Sequence, residues 1–405
     1  MTLTLISNYI NHHQIPLSDC FYEMLGDGYH FVQTEPMDEE RRAMGWQADN
    51  AGLPYLVYAY EQPEKVQKLL MESDVVIFGG CEDQEQIQPR LLAGKVTFRY
   101  SERLYREGQW KFITPRGLKQ KYHDHTRFRK APVYLLCAGG YVASDFKLVH
   151  AYPDKMFRWG YFTEFRAYEN DDCHIKRINN TRPSIVWAGR FIDVKHPEEA
   201  LWAAKELKNA GLRFHLKMIG GGALETQMHR LAESYGIMDC VEFLGVQNPE
   251  QVRDEMERAD IHLFTSDYGE GWGAVLNEAM NSGCAVVANQ GIGATPYLIT
   301  HGLNGYVYPN GDRKALLDCL RELLESPERC REMGRKAYET IRDEWNPQTA
   351  AKRFLVVCEQ LQPYSGQNKK APGISGLTVA QTGPMSKSPI LSPGFWQNGT
   401  GSTKK

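Results

Sequence analysis

Two α/β domains are what this sequence predicts, the second built on a doubly wound parallel sheet, and three observations predict it. Short apolar runs alternate with amphipathic stretches along most of the 405 residues, the pattern of strands covered by helices. A polar, irregular stretch at 161–183 interrupts the alternation once. In the second half, glycines gather where strands end, and open parallel sheets bind ligands beyond the carboxyl ends of their strands. A chain of this length has material for two cores of ordinary size.

Taken in order, the first half reads as strands at 3–7, 55–59, 75–78, 96–100 and 134–137, with helices after Ser18 and over 64–71. The second alternates more regularly: strands at 184–188, 213–219, 241–244, 260–265 and 284–288, and helices at 197–209, 223–235, 249–257, 273–282 and from 312 onward. The expected boundaries are a first domain over 1–165, a linker over 166–183 holding the acidic run 169–172 and Asn179-Asn180, and a second domain over 184–345. A helix at 346–362 follows and is expected to pack back on the first domain. From 363 to 405 the chain turns to Gly, Ser, Pro, Thr and Lys, with Phe395-Trp396 the exception, and is expected to be disordered.

Composition narrows the function classes. A formal charge of −3 gives no global attraction to nucleic acid. The nine cysteines never form Cys-x-x-Cys and lie mostly in apolar runs, which points to free thiols in a reducing compartment. With neither a basic leader nor a long apolar run, the expectation is a cytoplasmic protein. One local bias stands out: residues 95–130 carry 11 Lys or Arg against 3 Asp or Glu, interleaved with Tyr105, Trp110, Phe112, Tyr122 and Phe128. That composition suits a solvated helix surface or peripheral contact with an anionic membrane.

The chemistry concentrates at 266–288, where Glu270 and Glu278 stand eight residues apart on a glycine-punctuated loop that runs into a helix. Gly269, Gly271 and Gly273 remove side chains where a ligand would approach the backbone, and the helix offers its N-terminal N–H groups to the same space. A polyol or a phosphate fits that description. Gly189-Arg190 ends the first strand of the second half, with Lys195 before the next helix; two cations there suit a pyrophosphate, as they suit an ordinary surface loop. Gly220-Gly221-Gly222 opens a helix after a strand, either as a phosphate-facing turn or as a tight turn without a ligand. A glycosidase would also use two carboxylates, but it leaves the cations and the triple glycine without a role.

In their order, the motifs Val186-Trp187-Ala188-Gly189-Arg190, Lys195, Met218-Ile219-Gly220-Gly221-Gly222, Val241-Glu242-Phe243-Leu244-Gly245, Glu278-Ala279-Met280 and Gly283-Cys284-Ala285-Val286-Val287-Ala288 resemble the donor-binding domain of retaining glycosyltransferases of family 4, over 184–361. The resemblance implies a GT-B fold, two facing Rossmann-like domains with a cleft between them, and a UDP- or GDP-sugar as donor substrate. It implies that Arg190 and Lys195 neutralise the donor diphosphate, Glu270 meets the sugar hydroxyls and Glu278 holds the ribose diol. The backbone amides of Gly271, Trp272 and Gly273 would touch sugar or phosphate, Gly221 would lie at the phosphates, and Gln247, beside Asn248, would lie at the base. The charges agree with these roles, because a carboxylate accepts both hydroxyls of a diol and fixed cations stabilise a diphosphate as it leaves. With no Asp-x-Asp pair, the expectation is transfer without a metal or other cofactor.

This chain departs from the family after the strand at 284–288, where Tyr297 stands at a position usually held by glutamate. Its first loop, Asn8-Tyr9-Ile10-Asn11-His12-His13-Gln14, is similar to that of polysaccharide-assembly members. His13 is accordingly a candidate for hydrogen bonding to acceptor or phosphate, and Glu102 and Arg103 are further acceptor-side candidates. The reading is a hexosyltransferase acting on a glycan or lipid-linked saccharide in bacterial surface polysaccharide assembly. A sugar-nucleotide epimerase of similar architecture and an inactive nucleotide-sugar-binding scaffold remain open alternatives.

Overall fold

The computed structural model of the chain describes residues 1–37, 39, 52–80, 85–168, 177, 182–366 and 371–394. The acidic run 169–172, Asn179-Asn180, Cys81, Cys173 and Phe395-Trp396 lie outside the described residues. Two compact units divide the chain: Met1–Glu164 together with Asn346–Lys405, and Phe165–Trp345 between them.

The first unit runs β1 (Leu3–Ser7), α1 (Ile15–Leu25), β2 (Tyr29–Gln33), β3 (Leu56–Tyr58), α2 (Pro63–Glu72), β4 (Val75–Gly79), α3 (Gln88–Leu92), β5 (Thr97–Ser101), α4 (Pro115–Asp124), β6 (Val133–Ala138), α5 (Val142–Leu148) and β7 (Met156–Trp159). These strands form one sheet in the order β3-β2-β1-β4-β5-β6-β7, every pairing parallel. Its central strands are buried on both faces, which is why Val75-Val76-Ile77-Phe78 and Val133 to Ala138 are continuous apolar runs rather than alternating ones. A single guanidinium closes the lower rim. Fully buried Arg90 donates to the carbonyls of Leu70, Ser73, Asp74 and Val96 at 2.7–3.0 Å and to Thr97 Oγ1 at 3.2 Å, so the five N–H donors of the planar fork have five acceptors.

The second unit contains β8 (Ser184–Ala188), α6 (Pro197–Asn209), β9 (His215–Ile219), α7 (Glu225–Ser234), β10 (Val241–Gly245), α8 (Pro249–Arg258), β11 (Ile261–Phe264), α9 (Val275–Asn281), β12 (Ala285–Asn289), α10 (Thr295–Leu298), β13 (Tyr306–Tyr308), α11 (Arg313–Glu325) and α12 (Pro327–Asp343). Its parallel sheet is ordered β10-β9-β8-β11-β12-β13. The chain therefore builds outward from β8 in one direction, returns, and builds outward from β11 in the other. The crevice beyond β8 and β11 is the switch point at which such sheets take ligands. Buried Arg177 ties the incoming chain to this unit, donating to the carbonyls of Glu257, Gly283 and Ser282 at 2.6–3.1 Å.

After Trp345 the chain returns to the first unit as α13 (Pro347–Leu361), started by Asn346, whose side chain accepts from the Thr349 N–H at 2.8 Å. Phe354 on α13 meets the rings of Phe98, Phe21 and Trp159 at 4.8, 5.6 and 5.7 Å. Residues 371–394 correct the expectation of a disordered tail. Residues 385–388 among them run antiparallel to β7, with Arg158 donating to the Ser386 carbonyl at 2.8 Å, and Met385 and Ser388 donating to the Arg158 and Met156 carbonyls at 2.9 Å. Asp154 anchors the segment through Lys387 Nζ at 2.7 Å and the Ser375 N–H at 3.1 Å. Its order comes from main-chain bonds to a sheet edge built by distant residues and from the burial of Ala371, Ile374 and Met385.

Other differences are local. Helix α1 begins at Ile15, with Pro16 in its first turn, and not after Ser18. Ser18 lies within the helix as a buried hydroxyl accepting from Tyr29 at 2.9 Å. The strands β2, β7 and β13 were not anticipated, being short and rich in tyrosine, histidine and arginine.

Candidate functional site

In the second unit the loops following β8, β9 and β11 leave the carboxyl ends of neighbouring strands. The first two approach to main-chain contact: Gly189 donates to the Ile219 carbonyl at 3.0 Å and Phe191 to the Gly221 carbonyl at 2.8 Å. Gly220 has φ +130°, and a β-carbon there would stand 1.9 Å from the Gly189 carbonyl oxygen. Part of the triple glycine is thus explained by packing alone. Gly221 sits at the start of the turn into α7, and among the described residues its N–H, like those of Gly222 and Arg190, donates no hydrogen bond.

The loop after β11 is fastened to the loop after β8 at several points. Thr265 Oγ1 donates to the Lys195 carbonyl at 2.7 Å and accepts from Trp187 Nε1 at 2.8 Å, while the Asp267 N–H donates to the Val194 carbonyl at 3.2 Å. Across this seam the Lys195 ammonium forms an ion pair with the Glu270 carboxylate, both side chains about six-sevenths buried, and lies 5.4 Å from the centre of the Phe264 ring. Phe264 also explains Gly273. That residue has φ +87°, and a β-carbon would come within 2.7 Å of the ring. The N–H groups of Gly271 and Gly273 donate to no acceptor among the described residues.

Not every sequence-predicted residue offers its side chain to this space. The Trp272 indole is buried, donates Nε1–H to Asn277 Oδ1 at 2.8 Å and packs with Tyr297 and Trp345 at 6.2 and 5.7 Å, leaving its main chain to line the loop. Tyr297 stacks on Trp345 at 5.9 Å, so an aromatic core occupies the position where the family resemblance places a carboxylate. Asn248 caps α8 through a reciprocal pair with Gln251, which leaves Gln247 as the half-buried polar side chain of that turn; its Oε1 has no partner among the described residues. Arg190 is exposed and makes no ion pair among the described residues. Glu278 is the fourth residue of α9, half-buried.

In the first unit, His13 follows β1 in a turn closed by its own N–H to Asn11 Oδ1 at 2.9 Å, its ring 3.9 Å from that of His12 and 6.4 Å from that of Tyr161. Glu102 pairs with Arg106 and accepts from the Tyr161 hydroxyl at 2.8 Å. Arg103 corrects the expectation of an acceptor-side cation: it is buried against Asp145 at 2.9 Å and braces the loop after β5. A pair taken so fully out of water is held by its partners and is not displayed to a substrate.

Two residues escaped the sequence reading. His262, inside β11, is fully buried, and neither ring nitrogen has a hydrogen-bond partner among the described residues. Burial pushes its imidazole down to about 4; the Glu278 carboxylate opposes this shift and the Lys195 ammonium adds to it, so the ring is neutral at pH 7. A lone histidine at the second position of Ile-His-Leu-Phe was the available signal. The other is His196, in the left-handed conformation at φ 47°, ψ 54° and bonded on both sides to carboxylates, Glu198 at 2.8 Å and Asp267 at 3.2 Å.

Comparison with known proteins agrees with this geometry. The family model described as glycosyl transferases group 1 matches residues 170–340. The chain is 29% identical over 182 residues to the amylovoran biosynthesis glycosyltransferase AmsK of Erwinia amylovora, covering 44% of each. To the putative colanic acid biosynthesis glycosyltransferase WcaL of Escherichia coli K12 it is 26% identical over 183 residues, covering 44% of this chain and 45% of that one. The match thus spans less than half the length of either relative. Among solved structures, Anabaena HepE in complex with UDP and glucose superposes with a TM-score of 0.63 at 15% identity, over 89% of this chain and 100% of that one. At that identity the likeness establishes the fold, GT-B.

Proposed function

Since the chain belongs to the group 1 glycosyltransferases, retaining family 4, we propose that it moves a hexose from a UDP- or GDP-sugar to a glycan or lipid-linked saccharide in bacterial surface polysaccharide assembly. The observation that carries this reading is the meeting of Lys195 and Glu270 across the β8/β11 switch point, beside the main-chain N–H groups of Gly271 and Gly273, which donate to no acceptor among the described residues. A cation and a carboxylate held side by side suit a ligand that joins a diphosphate to a polyol. The relatives named for amylovoran and colanic acid biosynthesis support the biological setting, and the complex of HepE with UDP and glucose supports the donor class.

In this reading Arg190 and Lys195 face the diphosphate, and their charge counts most as the anomeric C–O bond breaks and negative charge grows on the leaving phosphate. Glu270 accepts from the sugar hydroxyls, Glu278 from the ribose diol, and Gln247 reads the base. The acceptor oxygen bonds to the anomeric carbon on the face the phosphate leaves, and its proton passes to a phosphate oxygen, so configuration is retained. His13 is assigned to the acceptor. Among the described residues no helix is long and apolar enough to cross a membrane. Within 95–130 the exposed part is assigned to peripheral contact, since Arg99, Arg103, Tyr105 and Phe128 are buried: α4 buries none of its side chains, and Ile113, Leu118 and Tyr122 are 58, 38 and 60% exposed among Arg116, Lys119 and Arg129.

A ligand-observed NMR screen of UDP- and GDP-sugars, followed by acceptor-dependent transfer with the donor that binds, tests the proposal. Binding of one nucleotide-sugar class and release of its nucleotide only with a saccharide acceptor is the expected result. Absence of binding by any nucleoside diphosphate would overturn it, and turnover without acceptor would favour an epimerase or hydrolase. Sedimentation with anionic but not zwitterionic vesicles checks the membrane assignment.

A further inference from the structure

The two loops that meet at the Lys195–Glu270 pair are also joined by side chains through His196, one residue after Lys195, which bonds to Asp267, three residues before Glu270. Its backbone occupies the left-handed region, φ 47°, which glycine adopts freely and other residues adopt uncommonly. Something must hold it there. Its Nδ1 lies 2.8 Å from Glu198 Oε1, in the first turn of α6, and its Nε2 lies 3.2 Å from Asp267 Oδ2, in the loop after β11. Both partners are carboxylates, which only accept, so both bonds exist together only when both ring nitrogens carry protons. Asp267 in turn shapes the turn bearing Glu270: its Oδ1 accepts from the Gly269 N–H at 2.7 Å and its carbonyl from the Glu270 N–H at 3.1 Å.

We infer that His196 is a positioning residue, an imidazolium latch that holds the Asp193–Lys195 turn against the Asp267–Glu270 turn and thereby sets Lys195 and Glu270 in register for the donor diphosphate. The latch acts through Lys195 and touches no substrate itself. Its charged state is supported by environment: the bonds to Asp267 and Glu198 raise the imidazole to about 10 against the opposing effect of burial. The charged groups facing it are those two carboxylates, Glu198 on α6 and Asp267 on the loop after β11. The inference rests on the reading of this site as one for a nucleoside diphosphate, and the test separates the two.

Two measurements decide it. Nitrogen-15 NMR of the histidine side chains in the wild-type protein at pH 8 should show His196 doubly protonated; a neutral ring at that pH overturns the latch whether or not any nucleotide binds. Calorimetry with UDP, GDP and their monophosphates should then show His196→Gly losing about tenfold in affinity for the diphosphate that wild type binds, with the corresponding monophosphate within twofold. Glycine suits the left-handed backbone, so this variant keeps its fold, and Asp267→Asn should give the same pattern from the other side. Diphosphate affinity unchanged in both variants overturns the inference, as does an equal loss of mono- and diphosphate. If wild type binds no nucleotide, the proposed function fails while the NMR result still decides the protonation of His196.

Discussion

At the scale of single residues the proposed function gives the two glutamates of the loop and helix separate tasks. A carboxylate on a ribose diol serves every nucleotide of the series, whereas one on the transferred sugar matters only when the sugar is present. Glu278→Ala should therefore weaken binding of free UDP or GDP by about 10- to 100-fold, as expected for charge-assisted bonds of ~1.5–3 kcal/mol. Glu270→Gln should leave free-nucleotide affinity near wild type and reduce kcat for transfer. Calorimetry beside steady-state kinetics checks both, and equal behaviour of the two variants would contradict the division. His262 supports a prediction about pH. Its folded value of about 4 lies below the ordinary 6.5, so its contribution to stability is intact above pH 6.5 and is lost as the pH falls toward 4, about 3 kcal/mol in total. His262→Leu should remove that part of the acid sensitivity, seen as a smaller drop in urea midpoint between pH 7 and pH 4 than in wild type.

At the scale of elements, what could be read from sequence follows from how each element is stabilised. Central strands such as Val75-Val76-Ile77-Phe78 and the run from Ala285 to Val287 are buried on both faces and declare themselves as apolar runs. The loops after β8 and β11 were legible because Gly189, Arg190, Lys195, Gly271 and Gly273 are residue types with few other reasons to cluster. The edge strands β7 and β13 were not. β7 reads Met-Phe-Arg-Trp, and its partner beyond the sheet edge is a Gly/Ser/Pro segment more than 200 residues later. His196 stayed hidden because its partner Asp267 lies 71 residues away, a contact that no local pattern encodes. The edge cover at 371–394 leads to a further expectation. A chain ending at residue 366 would bare the main chain of Met156–Trp159, an open edge that favours pairing with other chains. It should melt lower and aggregate sooner than the full chain, measured by scanning fluorimetry with light scattering; an unchanged melting temperature would mean that the cover contributes nothing to stability.

At the scale of the molecule, one unit is continuous in sequence and the other is not. Phe165–Trp345 has its own sheet, with an apolar cluster that includes Trp187, Leu201, Leu216, Leu263 and Leu320. Such a unit satisfies the conditions for independent folding. A fragment of residues 165–345 should give dispersed amide resonances and bind the same nucleoside diphosphate as the intact protein within about tenfold, while catalysing no transfer. An unfolded fragment would show that its stability depends on the flanking segments.

The return of α13 to the first unit has a consequence for the order of events during synthesis. Phe21, Phe98 and Trp159 emerge from the ribosome early, but Phe354, the ring they surround, is added about 200 residues after Trp159, a delay of roughly 10–40 s at translation speeds of ~5–20 residues per second. The inserted unit is fully synthesised within that interval. The nascent chain therefore completes its later-encoded unit first, while the earlier-encoded sheet waits with an aromatic socket open to whatever chaperone is at hand.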